Sequence, residues 1–114
     1  MLDLSFGRDG WDYQYIVRIR DNEEADKDMK NISAIKIAEM KINTVAVKER
    51  LAIGRFLYWD RRLILDRRTW TLCTGSRCTG GVVPVVDFND GEVSVGWCYP
   101  GDADDDLRAR QAVS

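Results

Sequence analysis

The sequence contains no histidine. That excludes Ser-His-Asp and Cys-His catalysis carried by this chain alone, and any histidine-ligated metal. Long uncharged runs are also missing. The longest, Cys78–Val86 and Val93–Gly101, are nine residues each, whereas a membrane-spanning helix needs about 20 apolar residues. No membrane partner is expected. The start, Met1-Leu2-Asp3, lacks a basic region followed by an apolar run, so no signal peptide is expected. There are only three cysteines, Cys73, Cys78 and Cys98. An odd count without a leader predicts reduced thiols and a cytoplasmic location.

What is present suits one folded domain. The chain has 114 residues, 45% of them hydrophobic and 32% charged, enough to bury a core and too apolar for a disordered chain. Net charge is −2, but it is segregated. Residues 1–40 carry six basic and nine acidic side chains, residues 41–77 nine and three, and residues 78–114 two and seven. Either the acidic ends fold against the basic middle, or the middle presents a basic face to an anionic partner.

Two hairpins stand out. Leu2, Leu4 and Phe6 alternate with polar residues, as do Trp11, Tyr13, Tyr15, Val17 and Ile19 after Gly7-Arg8-Asp9-Gly10. Period two marks one face of a strand. Asp-Gly favours a two-residue turn, because both central positions need positive φ. With Asp9-Gly10 in the turn, Phe6 pairs with Tyr13, Leu4 with Tyr15 and Leu2 with Val17. Near the C-terminus, Asp90-Gly91 in the turn sets Phe88 opposite Val93, Val86 opposite Val95 and Pro84 opposite Trp97. Pro84 cannot donate to a ladder, which predicts an edge position there.

Between the hairpins, Ala25, Met29, Ile32, Ile35, Ala38 and Ile42 recur at helical intervals and predict a helix over residues 21–42, with Asp21-Asn22-Glu23-Glu24 as its capping signal. A helix from Thr44 to Trp59 would spread its apolar residues around the whole circumference. The runs Leu51–Ile53, Phe56–Trp59, Leu63–Leu65 and Thr69–Cys73 are therefore expected to be short strands. The predicted fold is α+β and β-dominated: an N-terminal β-hairpin, one helix, a β-meander and a C-terminal β-hairpin. Residues 1–101 form the domain, and the acidic segment 102–114 is expected to be a mobile tail.

The chemistry-bearing patterns are sparse. Cys73, Cys78 and Cys98 offer at most three thiolates, and a structural zinc site needs four ligands. Cys73 beside Arg77 is a weak candidate nucleophile, since three residues separate Cys73 from Arg77 where the phosphate loop of Cys-dependent phosphatases has five. Gly75, Gly80 and Gly81 could form an anion nest but lack the surrounding P-loop pattern. No catalytic residue, metal site or cofactor is assigned. The repeat Asp60-Arg61-Arg62, Asp66-Arg67-Arg68 among Phe56, Tyr58, Trp59 and Trp70 combines phosphate-binding and base-stacking side chains, and in extended strands its period of six would put the arginines on one side. Trp, Tyr and Arg are also the residues enriched at protein interfaces. The expected function is that of a small non-catalytic protein-binding module, an inhibitor, immunity-type or mobile-element accessory protein acting by surface occlusion on an unidentified protein partner. Its contact residues would be Trp11, Tyr13, Tyr15, Tyr58, Trp59, Arg61, Arg62, Arg67 and Arg68. The alternatives are a nucleic-acid-binding module using the arginines, and a self-assembling subunit that forms homo-oligomers.

Overall fold

A computed structural model describes residues 2–7, 14–76 and 81–113. In chain order these form β1 (Leu2–Gly7), β2 (Gln14–Ile19), a 3₁₀ turn (Lys27–Met29), α1 (Ala34–Glu39), α2 (Val47–Arg61), β3 (Trp70–Leu72), β4 (Val83–Asn89), β5 (Glu92–Cys98), β6 (Leu107–Arg108) and β7 (Ala112–Val113). One sheet has the order β1-β2-β7 and the other β5-β4-β3-β6. The fold is α+β and strand-rich, with β3, β4 and β5 forming an antiparallel meander and β6 joining β3 in parallel. None of the described helices is long and apolar enough to cross a membrane.

The C-terminal hairpin has the register read from its alternation: Phe88 faces Val93, Val86 faces Val95 and Pro84 faces Trp97. Asp90 and Gly91 both have positive φ, 51° and 82°, the conformation that a type I′ turn requires and that favours Asp-Gly. The expected edge position of Pro84 is corrected. Strand β4 is internal, between β5 and β3. The missing N–H is tolerated because Pro84 lies just past the last β3–β4 ladder pairs, Thr71–Val86 and Leu72–Val85, where its carbonyl still accepts the Cys73 N–H.

The N-terminal hairpin is displaced by two residues from the expected register. Leu2 pairs with Ile19, Leu4 with Val17 and Phe6 with Tyr15. An even shift leaves every side chain on its original face, so alternation could not tell the two registers apart. Cross-strand charge does. The observed register sets Asp3 opposite Arg18, with Arg18 Nε 2.8 Å from Asp3 Oδ1. The expected one would set Asp3 opposite Ile16. The hydrogen bond from Arg18 holds the Asp3 carboxyl below its ordinary value. The turn residues 8–13 lie outside the described residues.

Helix placement differs most from expectation. Residues 21–42 hold only the 3₁₀ turn and α1, and the cap is Ser33, whose Oγ accepts the Lys36 N–H at 3.2 Å, not the acidic run at 21–24. The main helix, α2, occupies residues 47–61, where short strands were expected at Leu51–Ile53 and Phe56–Trp59. Its N-cap residue, Ala46, has no side chain that can cap it. Instead Glu49 Oε1 accepts the Ala46 N–H at 2.9 Å, and Ser76 Oγ, 29 residues along the chain, accepts the Val47 N–H at 3.0 Å. A helix capped from a distant loop gives little local sequence signal.

Two apolar clusters build the core. Leu2, Val17 and Ile19 of the first sheet pack on Val45, Leu65 and on Ile53 and Leu57 of α2. Leu72, Val83, Val85 and Leu107 of the second sheet pack on Met29, on Ala34 and Ile37 of α1, and on Ala109. The expectation of a mobile tail over 102–114 is corrected here. Residues 102–106 are exposed, but Leu107, Ala109 and Arg110 are buried. Strand β6 adds to the second sheet and β7 to the first, so the last described residues tie the two sheets together.

The interior also holds a buried ion triad. Arg50 Nε is 2.8 Å from Asp66 Oδ2, and Arg110 Nη2 is 2.9 Å from Asp66 Oδ1, with no side chain of the three more than 2% exposed. Thr69 and Thr71 hydroxyls donate to the same carboxylate. Arg110 also donates to the carbonyls of Asn22 and Glu23, at 2.8 and 3.0 Å. Each residue of the triad comes from a different part of the chain, so the network fastens α2, the 63–69 loop and the C-terminal segment to one another.

Gly75 marks another tight contact. A Cβ there would meet Thr44 O at 2.8 Å and Ala46 N at 2.9 Å, and both are backbone atoms beside the start of α2. Gly75→Ala is therefore expected to destabilise the protein by about 1–3 kcal/mol, the usual range for overpacking. A urea titration would show this as a lower midpoint at unchanged slope.

Candidate docking surface

Helix α2 has one buried edge, Arg50, Ile53 and Leu57, at helical spacing. The remainder of its surface is unusually apolar for a solvent face. Leu51, Phe56, Tyr58 and Trp59 are all exposed, Trp59 to 68%. The Tyr58 and Trp59 rings meet edge to face, with centroids 6.5 Å apart. Arg62 ends the helix in the left-handed region, φ 55°, and its guanidinium carbon sits 5.2 Å from the Tyr58 ring centre and 5.7 Å from that of Trp59. This cation–π contact holds three of the predicted contact residues, Tyr58, Trp59 and Arg62, as one surface unit.

Alongside α2 runs a groove of about 410 Å³. Leu51, Gly54, Arg55 and Tyr58 form its helical wall, and Phe88, Glu92 and Val93 its opposite wall. The groove is therefore where α2 meets the tip of the β4–β5 hairpin. From that tip the apolar row continues along β5, with Val93, Val95 and Trp97 51%, 55% and 59% exposed. By the period of a strand all three lie on one face. Tyr99 follows, its ring 5.4 Å from that of Trp97.

Among the described residues, strand β5 is also the edge of its sheet, paired only with β4. Among the described residues nothing pairs with its outer side. An uncovered edge strand offers a row of main-chain donors and acceptors to an incoming strand. Here such an edge coincides with a run of apolar side chains.

The arginines do not form the common row that extended strands would have given them. Arg61 lies at the end of α2 and pairs with Asp21 at 2.5 Å and Asp60 at 3.3 Å. Arg67 and Arg68 are exposed in the loop after Asp66. Asp66 itself turns inward, in the left-handed region with φ 59°, to the buried triad. The repeated Asp-Arg-Arg unit thus has two different structural roles. The Asp21–Arg61 pair and the Asp66–Arg110 pair both join the basic middle to its acidic-rich flanks. Trp11 and Tyr13 lie outside the described residues. Tyr15 is placed only by its backbone, opposite Phe6.

The candidate chemical sites fare differently. Cys73 is fully buried, and burial pushes its thiol up to about 12, so it is protonated at neutral pH and a poor nucleophile. Burial, and then the charge of Asp102, raises the Cys98 thiol. Cys78 and Gly80 lie outside the described residues. The Gly75 N–H donates to the Val45 carbonyl at 3.2 Å and is not available to an anion. No group of three metal-ligating side chains is assembled among the described residues.

The sequence named Tyr58, Trp59 and Arg62 but missed the row Val93, Val95 and Trp97. Alternation identified that row as one apolar face. Whether such a face is buried or open depends on what packs over it, which no local pattern states. Comparison with protein-family models, with curated proteins and with solved structures gives no match to this chain.

Proposed function

We propose that this chain is a non-catalytic protein-binding module that occludes a surface of one protein partner, in the manner of a stoichiometric inhibitor or an immunity-type or accessory protein. The observation that carries the reading is the coincidence, on β5, of an unpaired strand edge with the exposed row Val93, Val95 and Trp97, running into the groove beside α2. Exposed contiguous apolar surface of this kind is uncommon on a monomer and marks interaction sites. Trp and Tyr, both present here, are the residues most often found to dominate interface energetics.

A partner captured from a lysate of the source cells, then purified, supplies the assay. The expected complex is 1:1 with sub-micromolar affinity. Val95→Arg, a change on an exposed side chain, should leave the fold intact by circular dichroism and weaken binding about 30-fold or more, the effect of losing a central interface anchor. Arg67→Ala with Arg68→Ala should bind as the parent does. Binding unaffected by Val95→Arg would sink the assignment to β5. A complex that forms only with nucleic acid, or a salt-sensitive self-assembly, would replace this reading with one of the alternatives.

A further inference from the structure

The opposite face of the β4–β5 ladder carries a second recess, of about 500 Å³, within the usual range for small-group binding pockets. Val85, Gly96, Cys98 and Leu107 line it from the sheet, with Trp70 of β3 beside them. Trp97 also borders it, but by strand alternation its side chain follows Val93 and Val95 to the other face. The remaining lining is acidic: Asp87 on β4, and Asp102 and Asp104 on the exposed 99–106 segment. No lysine or arginine lines it, and none of the three carboxylates has an ion pair among the described residues. Asp102 spends one oxygen on the Tyr99 N–H at 2.9 Å, and Asp104 spends one on the Asp106 N–H at 3.0 Å.

Gly96 points the same way independently. It stands in the interior of a seven-residue strand, where glycine weakens a ladder. It has no positive φ, and a Cβ built on it would meet nothing within 4 Å. Neither backbone conformation nor neighbouring atoms call for a glycine there. A side chain at 96 would project into the recess, so what glycine supplies is room.

Aromatic faces and carboxylates attract organic cations, the former through the ring quadrupole and the latter through charge-assisted hydrogen bonds. A metal ion is the poorer fit, because the three carboxylates do not converge on a common point. We propose that this recess receives the guanidinium or ammonium end of a basic side chain presented by a protein partner. The proposal is separate from the docking role of the α2–β5 groove, which lies on the other face of the ladder.

The test is an NMR titration of the whole ¹⁵N-labelled chain with N-acetyl-arginine methylamide. The Trp70 indole N–H signal and the Gly96 amide should shift together and saturate with a dissociation constant on the order of 1 mM, as suits so small a ligand. N-acetyl-citrulline methylamide, the same shape without the charge, should produce no saturable shift. Free arginine, whose own carboxylate meets the negative field, should bind several-fold more weakly than the capped form. Gly96→Val should keep the fold, since the position is open and valine favours strands, and lose the shifts. Asp87→Asn with Asp104→Asn should weaken binding about tenfold. Equal binding of citrulline, or unchanged binding by Gly96→Val and the double Asn variant, overturns the proposal. Tighter binding of free arginine than of the capped form would make the recess a small-molecule site and overturn the assignment to a partner's side chain.

Discussion

Asp66→Ala should cost about 3–5 kcal/mol of folding stability, the range found when one partner of a buried ion pair is removed. With typical net stabilities of about 5–15 kcal/mol, that removes most of the stability at the low end of this range and up to about a third at the high end. The reason is not that the triad is worth so much when complete. Desolvating three charges offsets much of their attraction. The cost comes from what is left behind: Arg50 and Arg110, both almost wholly buried, would face each other without the carboxylate between them. Burial already pulls the Arg110 guanidinium below its ordinary value, and the charge of Asp66 is what pulls it back. Thr71 would also lose the carboxylate acceptor of its hydroxyl hydrogen, while Thr69 could still donate to Glu24 Oε2 at 3.0 Å.

Asp66→Asn separates charge from shape. Asparagine tolerates the left-handed backbone conformation of residue 66 and keeps one acceptor oxygen, but cannot neutralise either arginine. Urea unfolding followed by circular dichroism should therefore rank the parent above Asp66→Asn, and Asp66→Asn above Asp66→Ala. Equal stability of the parent and Asp66→Asn would mean that the carboxylate serves as a hydrogen-bond acceptor and its charge contributes nothing. By contrast, Asp60→Ala, the matching position of the other Asp-Arg-Arg unit, should change stability little, because Asp60 is exposed and exposed pairs contribute at most about 1 kcal/mol.

This contrast shows where sequence reading succeeded and where it stopped. The C-terminal hairpin was legible to the residue because alternation and an Asp-Gly turn both act within a few residues of each other. The N-terminal hairpin was legible only in its faces. Its register depends on Asp3 meeting Arg18 across the strands, which alternation does not encode. Helix α2 was hidden for an instructive reason. Its buried edge includes Arg50, which reads as polar, and its open surface includes Leu51, Phe56, Tyr58 and Trp59, which read as core. Those departures from an amphipathic stripe are the triad residue and the candidate docking residues. The features that blurred the helix are the ones for which the structure offers a role.

The C-terminal segment carries the other large expected effect. Deleting residues 107–114 should leave a chain that does not fold. The acid run 102–106 looks like the end of a domain, since Pro-Gly and clustered aspartates are the chemistry of solvent, but the eight residues beyond it carry core groups. Deletion removes Leu107 and Ala109 from the second cluster, and a buried leucine alone is worth about 2–5 kcal/mol. It removes Arg110 and so leaves Asp66 with Arg50 as its only ionic partner. It removes the strand that pairs with β3 and the one that pairs with β2. The Val45 N–H would lose the Arg110 carbonyl as its acceptor, and buried Asp26 would lose the Gln111 N–H at 2.8 Å. Asp26 already has one carboxylate oxygen without a partner, and burial raises its carboxyl above the ordinary value, so it is poorly placed to lose another contact. A shorter deletion, of residues 112–114, gives the graded comparison. It takes away β7 but keeps β6, Arg110 and Gln111, and should fold with a lower urea midpoint. Circular dichroism and amide NMR dispersion distinguish the cases. A well-dispersed spectrum from the chain lacking 107–114, with a urea midpoint near that of the parent, would show that the triad and the second cluster close without this segment. The two sheets would then be held together mainly by α2, which packs on the first sheet through Ile53 and Leu57 and lies against β4 of the second.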